Sequence, residues 1–269
     1  MGRTDELARF LESVAAQNHE AVRVVVVDQN VDARLDAVLH GRPFRIERIR
    51  ALQGLSRARN AALALLEADI VAFPDDDCVY PRGLLARVAE RLGAGDDLAG
   101  LTGRSQDASG RSSVSWKGDA ARLTDDNLWN RAISYTIFLR RRVVEAVGSF
   151  DEELGLGSGR PWSSSEEIDY LVRAVRAGTR IEYDPSLVVE HDVRADDARI
   201  GARDGASIGY LLRKHHYPWR VVLRMLVRPL GGALVSLLRL DPARSRYNLA
   251  TFSGRVRGYR GAKRSNSSA

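Results

Sequence analysis

The chain has 269 residues, of which 44% are hydrophobic and 28% charged. This composition is typical of soluble globular proteins and excludes wholly disordered and collagen-like classes. The length allows one large domain or two small ones. Cys78 is the single cysteine, which excludes an intrachain disulfide and a cysteine cluster for zinc and fits a reducing compartment.

Positive charge is concentrated near the C-terminal end. The 41 basic and 35 acidic residues give a net charge of +6. Residues 194–269 contain 16 basic and 4 acidic residues, or +12, which leaves −6 for residues 1–193. This asymmetry predicts a domain over residues 1–193 and a basic helical extension over residues 194–269. No signal-peptide pattern opens the chain, and no uncharged apolar run of about 18 residues predicts a conventional spanning helix.

Helical and extended patterns alternate along the first part of the chain. Periodicity predicts helices over residues 4–17, 32–39, 56–68 and 81–92, and strands over residues 23–27, 44–49 and 69–73. Such alternation favours an α/β fold with a mixed, mostly parallel sheet and helices on both faces. Binding sites in such sheets lie at the carboxyl ends of strands, where Asp28 and Asp75 to Asp77 fall.

The later segments are less regular. Strands are predicted over residues 98–103, 113–117, 133–139, 181–183 and 187–190, with a helix ending at Val147 and another over residues 165–177. Basic helices are predicted over residues 205–215, 219–240 and 247–256.

Three consecutive acids, Asp75, Asp76 and Asp77, follow the third strand. Like charges raise each other's pKa unless a cation lies among them, and hard oxygen ligands suit Mg²⁺ or Mn²⁺. Strand alternation places Asp75 and Asp77 on one side and Asp76 on the other. The pattern therefore predicts a D-x-D metal site that also takes phosphate oxygens. The alternative is a solvated acidic turn with helix-capping aspartates.

Each of the other candidate site residues, taken alone, has a structural explanation as well as a functional one. Glu166 and Glu167 open a helix after a Gly/Ser-rich loop, where the helix dipole favours carboxylates and where a general base is the functional alternative. A lone histidine such as His191 is more often structural than a metal ligand. Arg59 lies near a helix start, where it either binds an anion or forms part of a solvated face.

In chain order, these features resemble the family 2 glycosyltransferases of GT-A fold, over about residues 3–193. The resemblance rests on a strand ending at Asp28, Gly54 followed by Ala58-Arg59-Asn60, the D-x-D, and the acidic helix with Arg173, Gly178, Pro185 and His191. The segment from Tyr210 to His216 is similar to polysaccharide-assembly members of the family.

The resemblance implies a nucleotide-diphospho-sugar donor, a divalent metal (Mn²⁺ or Mg²⁺) and a glycan or lipid-linked acceptor. It implies metal binding by Asp75, Asp77 and His191. The donor-binding residues that it implies are Asp28, which contacts the nucleoside base, together with Arg59, Asn60 and Asp76.

The resemblance also implies a catalytic base. Glu167 matches the second acid of the family's Glu-Asp pair and is one methylene longer than that aspartate, which keeps Glu166 open as a substitute. A base that acts directly on the acceptor hydroxyl gives inversion at the anomeric carbon. Trp162, in the preceding loop, is a candidate platform on which an acceptor sugar stacks.

One departure from the family pattern concerns its first strand. Members begin with a strand that carries a Pro-x-Tyr-Asn-type motif, whereas here Arg3-Thr4 open the first helix. Because that strand lies mid-sheet in the fold, we expect its neighbours to be unpaired and some contacts to the donor base to be missing. The sequence allows two interpretations of this departure. Either the start codon is assigned too late, or the chain is a truncated, inactive product.

The basic C-terminal extension contains a long apolar segment. The segment from Trp219 to Leu240 is either a packed amphipathic helix or an interfacial segment on anionic lipid, and no nucleic-acid motif occurs. We expect a cytoplasmic protein, with a peripheral location on the cytoplasmic face of the membrane as the alternative. The rivals are a non-catalytic membrane protein derived from a transferase and a haloacid-dehalogenase-like phosphatase. The phosphatase motif D-x-D-x-[T/V] fits residues 75–79 but normally lies on the first strand.

Overall fold

The computed structural model describes residues 3–17, 19, 21–95, 97–193 and 197–261. These residues form two compact units. The first comprises residues 3–53, 57–150 and 170–193, and the second comprises residues 54–56, 151–169 and 197–261. The predicted boundary lay at residue 193; the second unit additionally includes residues 54–56 and 151–169.

The described chain up to residue 193 alternates between strands and helices. The strands are β1 (Arg23–Asp28), β2 (Arg45–Arg50), β3 (Ile70–Ala72), β4 (Cys78–Val79), β5 (Gly100–Gln106), β6 (Ala121–Arg122), β7 (Ile137–Arg140) and β8 (Ile181–His191). The helices are α1 (Thr4–Ala15), α2 (Asp36–Leu39), α3 (Leu55–Leu63), α4 (Leu84–Gly93), α5 (Arg141–Val147) and α6 (Glu166–Arg176).

The strands form two sheets. β1 and β2 are a parallel pair, and the other sheet has the order β3-β7-β5-β8-β4, with β6 also on β8. Its longest strands, β5 and β8, are parallel to each other, and β7 runs antiparallel between β3 and β5. The predicted mixed α/β class is confirmed. Within the described residues, β1 pairs with β2 alone and β3 with β7 alone.

Several element predictions were wrong in detail, among them the following three. Residues 113–117 form no strand, because Ser112 Oγ accepts from the Val114 amide and the Trp116 indole and so satisfies these donors locally. The predicted helix over residues 32–39 is reduced to α2, since the Asp32 carboxylate accepts the amide hydrogen of Arg34. The two short strands after residue 180 are the single strand β8, which continues through Pro185 because the register against β5 shifts at that level.

α1 and α4 supply much of the apolar core of the first unit. Both helices bury one helical stripe, as their periodicity predicts. The core residues of these helices are Leu7, Phe10, Leu11, Val14, Leu84, Val88 and Leu92. They pack with Leu101 of β5, Phe138 of β7 and Val189 of β8, so the two helices lie against the sheet.

In the second unit, three helices follow: α7 (Ala198–Lys214), α8 (Trp219–Leu238) and α9 (Pro242–Gly261). Glycines bring the backbones of α7 and α9 into contact. A Cβ on Gly209 of α7 would lie 2.0 Å from the Arg255 carbonyl oxygen, and one on Gly258 of α9 would lie 1.9 Å from that of Ala206. No larger residue fits at these two positions unless the helices separate.

This close approach makes Gly209→Ala destabilising. The added methyl must displace the backbone of α9, so we expect the free energy of unfolding to fall by about 1–3 kcal/mol. Urea denaturation followed by circular dichroism measures the change. Gly231→Ala on α8 is the matched control, because its Cβ would meet nothing within 4 Å. Helix propensity predicts a gain there of up to about 1 kcal/mol, and equal losses in both variants would contradict the packing argument.

Candidate active site

The three aspartates occupy a tight turn between β3 and β4. The Cys78 amide donates to the Asp75 carbonyl oxygen at 3.4 Å, and the buried Cys78 thiol lies 3.2 Å from the same oxygen. The Asp75 and Asp77 side chains are mostly buried, while that of Asp76 is 45% exposed. Asp75 and Asp77 therefore lie on the same side of the chain, as predicted. A turn, rather than strand alternation, gives them this arrangement.

Phe73, two residues before Asp75, is held by an aromatic cluster. Phe73 packs edge-on against Phe150, with ring centroids 5.2 Å apart, and against Tyr170 at 6.0 Å. Phe150 and Tyr170 stack at 4.2 Å, and the Tyr170 hydroxyl donates to the Val144 carbonyl oxygen at 3.1 Å. This packing holds the chain that enters the acidic turn.

Strand pairing brings His191 to the acidic turn. β4 pairs antiparallel with β8 so that Cys78 lies opposite His191, the last residue of β8. Asp75, Asp77 and His191 then offer ligand atoms that lie within 4.8 Å of one another. These are the three residues for which the resemblance implies a metal site.

The His191 ring has a defined orientation. It stacks on Tyr135 with centroids 4.6 Å apart and planes 1° apart, and the Tyr135 hydroxyl donates to Ser105 Oγ at 3.3 Å. His191 Nδ1 lies 2.8 Å from the Asp192 carbonyl oxygen, an acceptor, which assigns the proton of the neutral ring to Nδ1. Nε2 then presents its lone pair.

That lone pair faces a carboxylate. His191 Nε2 is buried, lies 3.2 Å from Asp77 Oδ1, and makes no aligned hydrogen bond within the described residues. Burial lowers the pKa of His191, but Asp77, the Asp192 backbone and Asp75 together raise it by more, so that the net change is upward. A lone pair set against a carboxylate oxygen is unfavourable unless a proton or a metal ion lies between them.

The donor set fits a small divalent ion. Neighbouring ligands of an octahedral ion with bonds of about 2.0–2.1 Å lie roughly 3 Å apart, which matches the 3.2 Å between His191 Nε2 and Asp77 Oδ1. Carboxylates suit Mg²⁺ and Mn²⁺, whereas imidazole favours transition metals. The three side chains are thus a candidate site for either ion.

Protein cations also surround the acids. Arg3 pairs with Asp77 and with Asp76, the latter at 3.0 Å. The guanidinium of Arg59, a residue only 8% exposed, lies 3.4 Å from Asp75 Oδ1 and over the Phe150 ring. These charges offset the repulsion among the carboxylates. The contact of Arg59 with a donor stays a prediction.

Sequence reasoning missed Ser134 and Tyr135. Ser134 Oγ donates to Asp75 Oδ1 at 3.2 Å, and Tyr135 holds His191. Both lie in a 3₁₀ turn, Ser134–Thr136, within a segment predicted as strand. No local signal separates that turn from the apolar run that follows it.

Two predicted donor-binding residues have protein partners. Asp28 has a fully buried side chain that accepts from Asn30 at 2.8 Å and from Arg48 at 3.0 Å. Burial alone raises the pKa of Asp28, but these hydrogen bonds lower it by more. Asn60 hydrogen-bonds both backbone groups of Phe150, at 3.0 and 2.7 Å. Their contacts with a donor stay predictions.

The acidic start of α6 belongs to the second unit. Ser165, immediately before Glu166, has φ of 62°, a left-handed conformation uncommon for serine and often found at functional sites. Glu166 is 4% exposed, whereas Glu167 is partly exposed. The Ser164 amide and hydroxyl donate to Ser207 Oγ at 3.1 and 2.8 Å, which ties the loop to α7.

A buried charge cluster anchors the same turn of α6. The Asp169 side chain is fully buried and accepts from Lys214 Nζ at 2.6 Å and from His215 Nε2 at 2.8 Å. Lys214 also pairs with Asp151 at 2.6 Å. The sequence singled out Lys214 and His215 only as part of the tail motif, so this contact was not predicted.

Trp162 lies in the second unit with one ring face covered. Its ring stacks on Tyr210 with centroids 4.8 Å apart, and the Tyr210 hydroxyl donates to Glu153 at 3.1 Å. Burial, together with Asp151 and Glu153, raises the pKa of Tyr210. The stacked face is not open to a sugar, and the acceptor role of Trp162 stays a prediction.

Residues 2–147, more than half of the chain, match the family model described as glycosyl transferase family 2. The chain belongs to the family 2 glycosyltransferases. The pre-mycofactocin glycosyltransferases of two Mycobacterium tuberculosis strains, CDC 1551 / Oshkosh and H37Rv, are 29% identical to it over 154 residues. The matches cover 53% of this chain and 31% of each relative, so the chain spans only part of the length of these curated relatives.

Solved structures share the fold of this family 2 chain. Mannosyltransferase PcManGT from Pyrobaculum calidifontis, in complex with GDP-Man and Mn²⁺, aligns with a TM-score of 0.62 at 14% identity, over 95% of this chain and 84% of that one. S. aureus TarS aligns with a TM-score of 0.60 at 18% identity, over 92% of this chain and 52% of TarS. These similarities confirm the predicted GT-A-like fold.

The geometry predicts which acids hold a metal. Asp77→Asn and His191→Gln should each lower the affinity for Mn²⁺ by at least about tenfold, because each removes a ligand. Titration with Mn²⁺, with the free ion counted by electron paramagnetic resonance, measures this. Asp76→Asn is the control, since it removes the same charge from the exposed member of the cluster. Equal losses in Asp76→Asn and Asp77→Asn, with no loss in His191→Gln, would mean that net charge alone attracts the ion.

Proposed function

We propose that this protein transfers a sugar from a nucleotide-diphospho-sugar to a glycan or lipid-linked acceptor, with a divalent metal and with inversion at the anomeric carbon. The observation that carries the proposal is the arrangement of Asp75, Asp77 and His191 in a family 2 chain. Structural neighbours bound to GDP-Man with Mn²⁺ and to UDP-GlcNAc support a donor of this class.

The donor half of the reaction is proposed for the first unit. Asp75, Asp77 and His191 would hold Mn²⁺ or Mg²⁺, which when bound supplies positive charge to the leaving diphosphate. Arg59, 3.4 Å from Asp75, adds a fixed cation that attracts the same diphosphate. Asp76, Asn60 and Asp28 are the further donor contacts that we propose. Asp28 would have to exchange its present partners to reach a nucleoside base.

Glu167 is the proposed base. It accepts the proton of the acceptor hydroxyl while the hydroxyl oxygen forms a bond to the anomeric carbon. The bond from that carbon to the diphosphate breaks on the opposite side, so the configuration inverts. The partial exposure of Glu167, against 4% for Glu166, favours Glu167, because a base must reach its acceptor.

The proposed acceptor follows from the sequence of the second unit. A glycan or lipid-linked glycan is proposed from the likeness of the segment between Tyr210 and His216 to polysaccharide-assembly transferases. Trp162 is the proposed sugar contact, through the part of its ring that Tyr210 does not cover. The proposed place of action is the cytoplasm or the cytoplasmic face of a membrane.

Glu167→Gln tests the assignment of the base. The amide cannot take a proton but keeps the size of the side chain, so transfer should fall by about 10²–10⁴-fold with donor binding retained. A thermal-shift screen of nucleotide-sugars with Mn²⁺ identifies the donor, and release of nucleoside diphosphate then measures turnover.

Glu166→Gln is the matched control for this experiment and should keep most of the activity. Wild-type turnover in Glu167→Gln would contradict the assignment, and loss in Glu166→Gln alone would move the role to Glu166. Release of phosphate from small phosphoesters, without consumption of nucleotide-sugar, would favour the phosphatase instead.

Removal of the metal gives a second test. Chelation with EDTA should abolish transfer, and Mn²⁺ or Mg²⁺ should restore it, because the diphosphate leaves poorly without a cation. His191→Gln should then require a higher Mn²⁺ concentration for half-maximal activity. Full activity in EDTA would rule out a metal-dependent mechanism.

A further inference from the structure

The outward face of α8 is strongly apolar. By length and composition, the helix Trp219–Leu238 could cross a membrane. Only 28% of its most apolar 18-residue stretch is buried. Its buried positions form one narrow stripe: Val222, Met225, Pro229, Ala233 and Ser236. A second, exposed stripe runs beside it: Trp219, Leu223, Val227, Leu230, Leu234, Leu237 and Leu238.

Arginines line the far side of this exposed stripe. Arg220, Arg224 and Arg228 recur every fourth residue, so they form one row along the helix, and all three are exposed. In the described residues, none of the three forms an ion pair with an acid. From Ala198 to Gly261 the sequence has 13 basic residues and only two acids, Asp204 and Asp241.

A spanning orientation of α8 conflicts with its packing on α9. Pro229 has no amide hydrogen, which leaves the Met225 carbonyl oxygen without its helical donor. The Arg255 guanidinium of α9 donates to that oxygen instead. α9 contains five arginines, Arg244, Arg246, Arg255, Arg257 and Arg260. Carrying this helix into a bilayer with α8 is unfavourable.

Self-association through the same face is disfavoured by charge. A two-fold contact places one surface against its own copy, so an antiparallel pair of α8 helices would bring the two arginine rows together. The two acids of this helical segment are too few to compensate, and Asp204 is already paired with Arg203. An anionic lipid surface complements both features, because its acyl chains suit the apolar stripe and its phosphates suit the arginine row.

We propose that α8 lies in the plane of an anionic lipid surface. The exposed stripe enters the boundary between headgroups and acyl chains, and the arginine row binds lipid phosphates. Helices with a leucine- and tryptophan-rich face beside an arginine-rich one bind membranes in this way. This docking is separate from the proposed glycosyl transfer and does not depend on it.

Vesicle co-sedimentation of the full chain tests the proposal. Binding should be strong to phosphatidylcholine vesicles that contain phosphatidylglycerol, weak to phosphatidylcholine alone, and reduced by salt. Removing the arginine row (R220Q, R224Q and R228Q together) should weaken binding by about 100-fold. Removing the centre of the stripe (L230S and L234S together) should weaken it to a similar degree.

Matched controls change equivalent residues of the first unit. R9Q, R82Q and R87Q together remove the same charge, and V31S with L52S removes two exposed apolar side chains; both controls should bind as wild type does. Circular dichroism melting checks that each variant folds. Trp219 emission should shift to the blue on phosphatidylglycerol vesicles, so Trp219→Phe should lose the shift and Trp116→Phe should keep it.

Two results would overturn the proposal. Equal binding by wild type, the arginine-row variant and the stripe variant would show that α8 does not contact lipid. A dimer in solution that only the stripe variant loses, without binding of any protein to vesicles, would assign the face to a second copy.

Discussion

Three adjacent carboxylates at the end of β3 require positive charge among them, and the site of the first unit depends on that requirement. Arg3 pairs with Asp76 and Asp77, Arg59 approaches Asp75, and His191 faces Asp77. Arg3 immediately precedes α1, Arg59 lies in α3 and His191 ends β8, so the acidic turn contacts three separate segments of the chain. The same acids are the ones for which we propose a metal ion and, through it, contact with a donor diphosphate.

In the second unit, the decisive constraint is the close contact of α7 and α9. Glycines such as Gly209 and Gly258 let the backbones of these two helices come into contact. α9 contacts α8 through other residues. Ser245 of α9 donates to the Ala233 carbonyl oxygen, and Arg255 donates to that of Met225. α8 thus needs only a narrow buried stripe. Its remaining apolar surface is not explained by packing within this unit, and a lipid surface explains it together with the arginine row.

The elements of the fold that have strong local patterns could be predicted from the sequence. The period of Leu7, Phe10, Leu11 and Val14 gave α1, and the apolar run before Asp28 gave β1. The metal triad was predicted by resemblance, since nothing local indicates that β4 pairs with β8. Contacts such as that of Asp169 with Lys214, 45 residues apart, were not predicted, because they depend on tertiary packing rather than on periodicity. Arg3 was missed for the same reason: it reaches the acids across more than 70 residues.

The central claim is that Asp75, Asp77 and His191 hold a divalent cation. Arg3 and that cation both require Asp77, so entry of the metal should displace Arg3 from it. X-ray diffraction at the manganese edge, from crystals of this chain grown with Mn²⁺ and UDP, tests this directly. We predict one anomalous peak within bonding distance of a carboxylate oxygen of Asp75, one of Asp77 and His191 Nε2. No peak there, with Arg3 still paired to Asp77, would contradict the account.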